Sequence, residues 1–126
     1  MKPVIIIIFA LIFIFAAGYM MSDYINNTSK TINVELARLD NEVRSNKWIP
    51  ANQMLGLIEN KWNGIKNTWA MLVDHQEIDN IDLCISKMKE YIKGKESVNA
   101  LAEISSLKLL FEHIPKKESL SWVNIL

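Results

Sequence analysis

The chain is poor in the residues that usually carry chemistry. It has a single cysteine, Cys84, in 126 residues. That excludes an internal disulfide and any cysteine-built zinc site. Cys84 itself is read as a small packed hydrophobe rather than a nucleophile. There are only two histidines, His75 and His113, four glycines and three prolines. No glycine-rich phosphate loop, strand-like alternation or internal repeat is visible. Charge of one sign is also missing: 14 basic side chains face 14 acidic ones, for a formal net charge of zero. A nucleic-acid binder needs a basic surplus to displace counterions from phosphates, so that class is excluded. A strongly acidic solvating segment is excluded by the same balance.

What the chain does have is one long apolar run. Val4 to Met21, VIIIIFALIFIFAAGYMM, contains no charged residue. A helix of ~20 apolar residues crosses the hydrocarbon core of a bilayer. Tyr19 and Tyr24 fall near its far end, where amphipathic rings favour the interface. Lys2 and the α-amino group precede the run, and the next basic residue is Lys30. This bias predicts a cytoplasmic N-terminus, with residues 25–126 outside the cytoplasm. Ala16-Ala17-Gly18 has the small-residue spacing of a signal-cleavage site, so secretion after cleavage is the alternative. The apolar run continues through Tyr19, Met20 and Met21, which favours an uncleaved anchor. No cysteine follows to accept a lipid. The expected organisation is therefore a single-pass transmembrane anchor over residues 1–24 and a helical domain over residues 25–126.

Beyond the run, apolar spacing is helical throughout. Ile25, Ile32, Leu36, Leu39 and Val43 continue the first helix as a polar-faced extension that stops near Asn46. Trp48-Ile49-Pro50 reads as a connection, because a residue before proline avoids helix. A second helix then starts near Pro50 or Ala51, with Leu55, Ile58, Trp62, Ile65, Trp69 and Leu72 at alternating intervals of three and four. Asn63-Gly64 is a turn signal inside that stripe, so one helix with a possible bend is expected. The third helix has Asp74 as cap, with Glu77 as a variant capping box, a seam of Ile78, Ile81, Ile85, Met88 and Ile92, and a stop at Gly94. Acids gather at its start and lysines at its end, as the helix dipole favours. Ser97 is the expected cap of the fourth helix, whose stripe is Ala100, Ile104, Leu107, Phe111 and Ile114. Pro115 is expected to end it. The tail holds a second cap candidate, Ser119, with Leu120, Trp122, Val123, Ile125 and Leu126, and reads as a short helix packed back on the bundle. The fold expected is all-α: a transmembrane helix followed by an antiparallel bundle of about four helices.

One polar cluster stands out: Asp74, His75, Glu77, Asp79 and Asp82, with Glu112 and His113 near the end of the fourth helix. In an antiparallel hairpin, His113 would lie beside Asp74 and Glu77. His75 and Asp79 share a face at a spacing of four, but the set does not match a His-Glu-x-x-His site. Helix capping and dipole charge explain most of it. Trp62 and Trp69, seven apart, could line a pocket, but their register with Leu and Ile makes them core. Asn26-Asn27-Thr28-Ser29 contains overlapping glycosylation sequons and reads as a polar stretch beside the membrane.

The segment WAMLVDHQEIDNIDLCISKMKEYIKG, from Trp69 to Gly94, and the later LLFEHIPKKESL resemble an uncharacterised bacterial family, domain of unknown function 4363. The DHxEIDNID and EHIP runs are its most specific features, and the similarity covers nearly the whole chain. The resemblance implies a small, membrane-anchored, helical protein without an assigned activity or ligand, in a setting that hints at a membrane complex.

No nucleophile is placed with a base, so an enzyme is not expected, and no cofactor or metal is implied. The function expected is a structural or interaction module that docks on an integral-membrane partner outside the cytoplasm. The alternative is an extracytoplasmic sensor that binds a small ligand or ion between the third and fourth helices.

Overall fold

A computed structural model describes the backbone of residues 1–125 and the side chains of residues 1–118. Among them there are four helices and no strand: α1 (Lys2–Arg44), α2 (Trp48–Leu72), α3 (His75–Lys93) and α4 (Ser97–Ile125). α1 packs against α2 and α4, and α3 packs against the same two. Short turns join successive helices, so the bundle runs up, down, up, down.

α1 is unbroken for 43 residues, roughly 65 Å at 1.5 Å per residue. Its first part is long and apolar enough to cross a membrane, and none of that apolar window is buried. Phe9, Phe13 and Tyr19 all stand exposed. Burial begins at Gly18 and then follows a stripe, Ile25, Ser29, Ile32, Leu36, Leu39 and Val43. The same helix is therefore bare at one end and the wall of a core at the other.

The predicted seams supply that core. All five α3 positions and all five α4 positions are buried, with Leu55, Ile58, Trp62 and Trp69 from α2. Ile65 and Leu72 are half-buried at its edge. α2 continues through Asn63-Gly64 as one helix. Ion pairs tie each adjacent pair of helices: Glu35–Lys61 at 3.1 Å for α1–α2, Glu59–Lys89 at 3.4 Å and Asp82–Lys66 at 2.5 Å for α2–α3, Glu77–Lys117 at 3.3 Å for α3–α4, and Asp40–Lys108 at 4.0 Å for α1–α4. Each such pair contributes little to stability alone, but a slip of one helix would separate them.

Several boundaries differ from the sequence expectation. α2 begins at Trp48, two residues before Pro50. A first-turn N–H has no helical partner anyway, so proline is tolerated there. Asn46 ends the first turn region as expected, in the left-handed conformation at φ 55°. At the equivalent place after α3 the left-handed residue is Lys95, also at φ 55°, and not Gly94. Both turns are built alike. Asn46 N–H donates to Val43 and Lys47 N–H to Glu42, while Lys95 N–H donates to Ile92 and Glu96 N–H to Tyr91. This is the paired bonding of a Schellman motif. It hands the chain straight into the next helix: Ala100 N–H bonds to the Glu96 carbonyl, so the cap position is Glu96 and Ser97 is already helical.

The largest difference is Pro115. It does not end α4, which runs through it to Ile125. The expected separate tail helix starting at Ser119 is thus part of α4, and the packing of its side chains lies outside the described residues. A proline inside a helix removes the N–H that would bond four residues back, here to the Phe111 carbonyl. That carbonyl accepts instead from the Ser29 hydroxyl of α1. Ser29 is 2% exposed and is the single buried polar residue among those described.

This pairing can be measured. Ser29→Ala should destabilise the parent by about 1–3 kcal/mol, the cost of leaving a buried acceptor without a donor. Alanine at position 115 restores the helical N–H, so Ser29→Ala should cost clearly less in a Pro115→Ala background. Denaturant unfolding of the four variants checks the cycle, and equal costs in both backgrounds would show that Ser29 does not serve the carbonyl freed by Pro115.

Candidate functional site

The cluster singled out in the sequence lies at the start of α3. Asp74 is the cap, and its carboxylate accepts from the Gln76 N–H at 3.4 Å. Glu77 does not complete a capping box. Its carboxylate instead meets Lys117 of α4 at 3.3 Å. His75 and Asp79 are exposed. α4 does pass beside the start of α3, as an antiparallel hairpin requires, but the residues it brings there are Lys117 and Glu118. Among the described residues, no hydrogen bond or ion pair joins His113 to Asp74 or Glu77. His113 is exposed and lines a shallow groove of about 390 Å³ with Asn80, Leu83 and Cys84. The reason is height along the helix: His113 lies four residues before Lys117, on nearly the same face but about one turn further from the start of α3. No group of three or more His, Cys, Asp or Glu side chains suited to a metal ion occurs among the described residues.

Asp82 has a different role from the dipole charge expected of it. It accepts from the indole N–H of Trp62 at 2.8 Å and also pairs with Lys66. Trp62 and Trp69 are core, as their register implied. With Phe111 they form three edge-to-face pairs, with centroids 5.5, 5.7 and 5.5 Å apart, the arrangement that aromatic quadrupoles favour. The Trp69 indole donates to Thr28 at 2.9 Å, and Thr28 donates to the Tyr24 carbonyl at 2.8 Å. The Thr28-Ser29 pair, read in sequence as a polar stretch at the membrane, thus turns inward and satisfies core groups. Burial, and then Glu103, push the Cys84 thiol above its ordinary value, which keeps the thiolate scarce at neutral pH.

Sequence reasoning did not find one concavity, a groove of about 580 Å³ between α1 and α4, walled by Ser22, Asn26, Lys30 and Asn33 on one side and by Glu112, Pro115 and Lys116 on the other. Asn33 donates to the Lys108 carbonyl at 3.4 Å, while its own Oδ1 is buried without a donor. One signal did exist. The seven-residue gap between Ile25 and Ile32 in the α1 stripe contains Ser29, four past Ile25, at a position facing the core.

A second, smaller groove joins Met21, Ser22 and Ile25 of α1 to Met71 and Leu72 of α2 and Glu118 of α4. It fixes the height at which the apolar run meets the bundle. The family described as Domain of unknown function (DUF4363) matches residues 19–125. The chain belongs to this family. The matched region begins within two residues of Met21, so it covers the bundle and omits nearly all of the bare apolar segment. No protein of curated function and no solved structure matches the chain.

Glu118 gives this end of the bundle a pH dependence. Burial raises its pKa above the usual carboxylate value, Lys117 opposes the shift, and Asp74 and Glu77 add to it. A carboxyl with a raised folded pKa favours the folded state at low pH and loses that contribution as pH rises through the folded value. Glu118→Gln should therefore melt higher than the parent at neutral pH. The two should converge as pH falls to about 4, where the ordinary carboxyl is protonated in both states. A difference in melting temperature that does not depend on pH would refute this assignment.

Proposed function

We propose that the chain is a membrane-anchored interaction module. The apolar part of α1 serves as its single-pass anchor, and the bundle stands outside the cytoplasm against an integral-membrane partner. The observation that carries this reading is the exposure of the apolar turns of α1 before Gly18. In water a bare, all-round apolar helix would be an aggregation hazard, whereas in a bilayer it meets its own kind of solvent. No flexible linker separates that helix from the bundle, since α1 is also one of its four walls. An anchor of this construction fixes the tilt and height of everything attached to it, which suits docking on a neighbour in the same membrane. Lys2 before the run, with no further base until Lys30, supports the outward orientation.

Two measurements test the proposal. In a Cys84→Ser background, Val98→Cys places a thiol on an exposed residue at the far end of the bundle. A membrane-impermeant thiol reagent should label it in intact cells, and labelling only after lysis would reverse the orientation. Affinity capture of the full chain from solubilised membranes should recover one stoichiometric integral-membrane protein. If no such partner appears and a divalent metal raises the melting temperature until a chelator is added, the sensor reading replaces the docking one.

A further inference from the structure

Ser22 is the first residue after the apolar run, and the α1–α4 groove starts at its level. From there it climbs to Asn33, roughly 16 Å along the helix axis. The headgroup layer of a bilayer is about 5–7 Å deep on each side of the hydrocarbon, so roughly the lowest third of the groove lies within it on the anchored reading. Lys30 is on one wall and Lys116 on the other. The Lys30 side chain leans back toward the N-terminus of its helix, as helical side chains do, and so toward the membrane. No acidic group pairs with Lys30 among the described residues. Among the described residues, Lys116 has a single loose, exposed partner, Glu112, at 3.9 Å. At the upper end the Asn33 Oδ1 is buried and still lacks a donor.

We propose that this groove takes the headgroup of an anionic phospholipid that carries free hydroxyls, drawn from the leaflet on which the bundle stands. The proposal rests on the anchored reading of α1. The phosphate sits between Lys30 and Lys116, and the lipid tails lie along the bare apolar turns below Ser22. The headgroup hydroxyls reach up the groove, where Asn33 Oδ1 accepts from them. A choline headgroup has no hydrogen-bond donor to offer Asn33, and its quaternary ammonium would face two lysines. Glu112 on the rim opposes the phosphate and weakens the site.

The test uses the full chain in nanodiscs of phosphatidylcholine with a minor share of phosphatidylglycerol, with the lipid that stays bound read by native mass spectrometry. Phosphatidylglycerol should be enriched by about tenfold or more, the scale expected for two lysines at an anionic surface. Lys30→Gln with Lys116→Gln should abolish the enrichment, while Lys93→Gln with Lys95→Gln, which removes equal charge at the far end, should not. Glu112→Gln should strengthen it. The parent should also prefer phosphatidylglycerol to phosphatidic acid, which lacks the hydroxyls, and Asn33→Leu should remove that preference.

Enrichment that survives the Lys30/Lys116 change, or that is lost equally with the distal pair, would overturn the proposal. So would a thermal shift of the detergent-solubilised chain by inorganic phosphate or glycerol 3-phosphate as large as that by the lipid, since the ligand would then be a free anion. A chain that enters nanodiscs and shows no lipid preference overturns the groove alone. A chain that does not enter them overturns the anchor and the groove together.

Discussion

A hydrogen bond between two helices governs the shape of this bundle. Pro115 deprives the Phe111 carbonyl of its helical donor, and Ser29 supplies another from α1. An orphaned carbonyl in a core would cost more than most single contacts return. With the bond made, α4 continues past the proline instead of stopping. That continuation carries Lys117 to Glu77 and Glu118 to the corner formed by Met21, Met71 and Leu72. It also leaves the groove between α1 and α4, walled on one side by Pro115. The same bond lies beside Phe111, which packs against Trp62 and Trp69.

The second constraint is that α1 works in two environments without a break. Its apolar turns are bare and its later turns are a buried wall of the bundle. The transition occupies a few residues around Gly18 to Ile25, where small and polar side chains replace Ile and Phe. Polar groups at the start of the buried part do not idle there. Thr28 takes the Trp69 indole and Ser29 takes the Phe111 carbonyl. Further from the run, where the α1 stripe is wholly aliphatic, largely covered carboxylates pair with lysines of neighbouring helices, Glu35 with Lys61 and Glu59 with Lys89. Glu77 and Lys117 make the same kind of pair beside the apolar segment.

Much of this was legible in the sequence, and some was not. The stripes on α2, α3 and α4 could be read because a helical core imposes a local period that survives in one dimension. The Asp74 cap and the turn at Asn46 are local as well. The polar cluster at the start of α3 was visible as composition, yet its partner was not. A shift of one turn in α4 decides whether Glu77 meets His113 or Lys117, and no local rule sets that shift. The role of Thr28 and Ser29 was hidden for the same reason, since a hydroxyl reads as surface until a particular indole or carbonyl is placed opposite.

The sequence by itself determined the long apolar run, four helical segments, a chain without charge bias, and a family. Each follows from composition or from a period of three to four residues, which need no knowledge of distant neighbours. Only the tertiary structure decided that Pro115 lies within a helix, that Lys95 rather than Gly94 adopts the left-handed turn, and that α1 and α4 leave a groove between them. These outcomes depend on where a donor from one helix meets an acceptor on another. Such a match balances a local penalty against a contact 82 positions away in the chain, and the sequence states only the penalty.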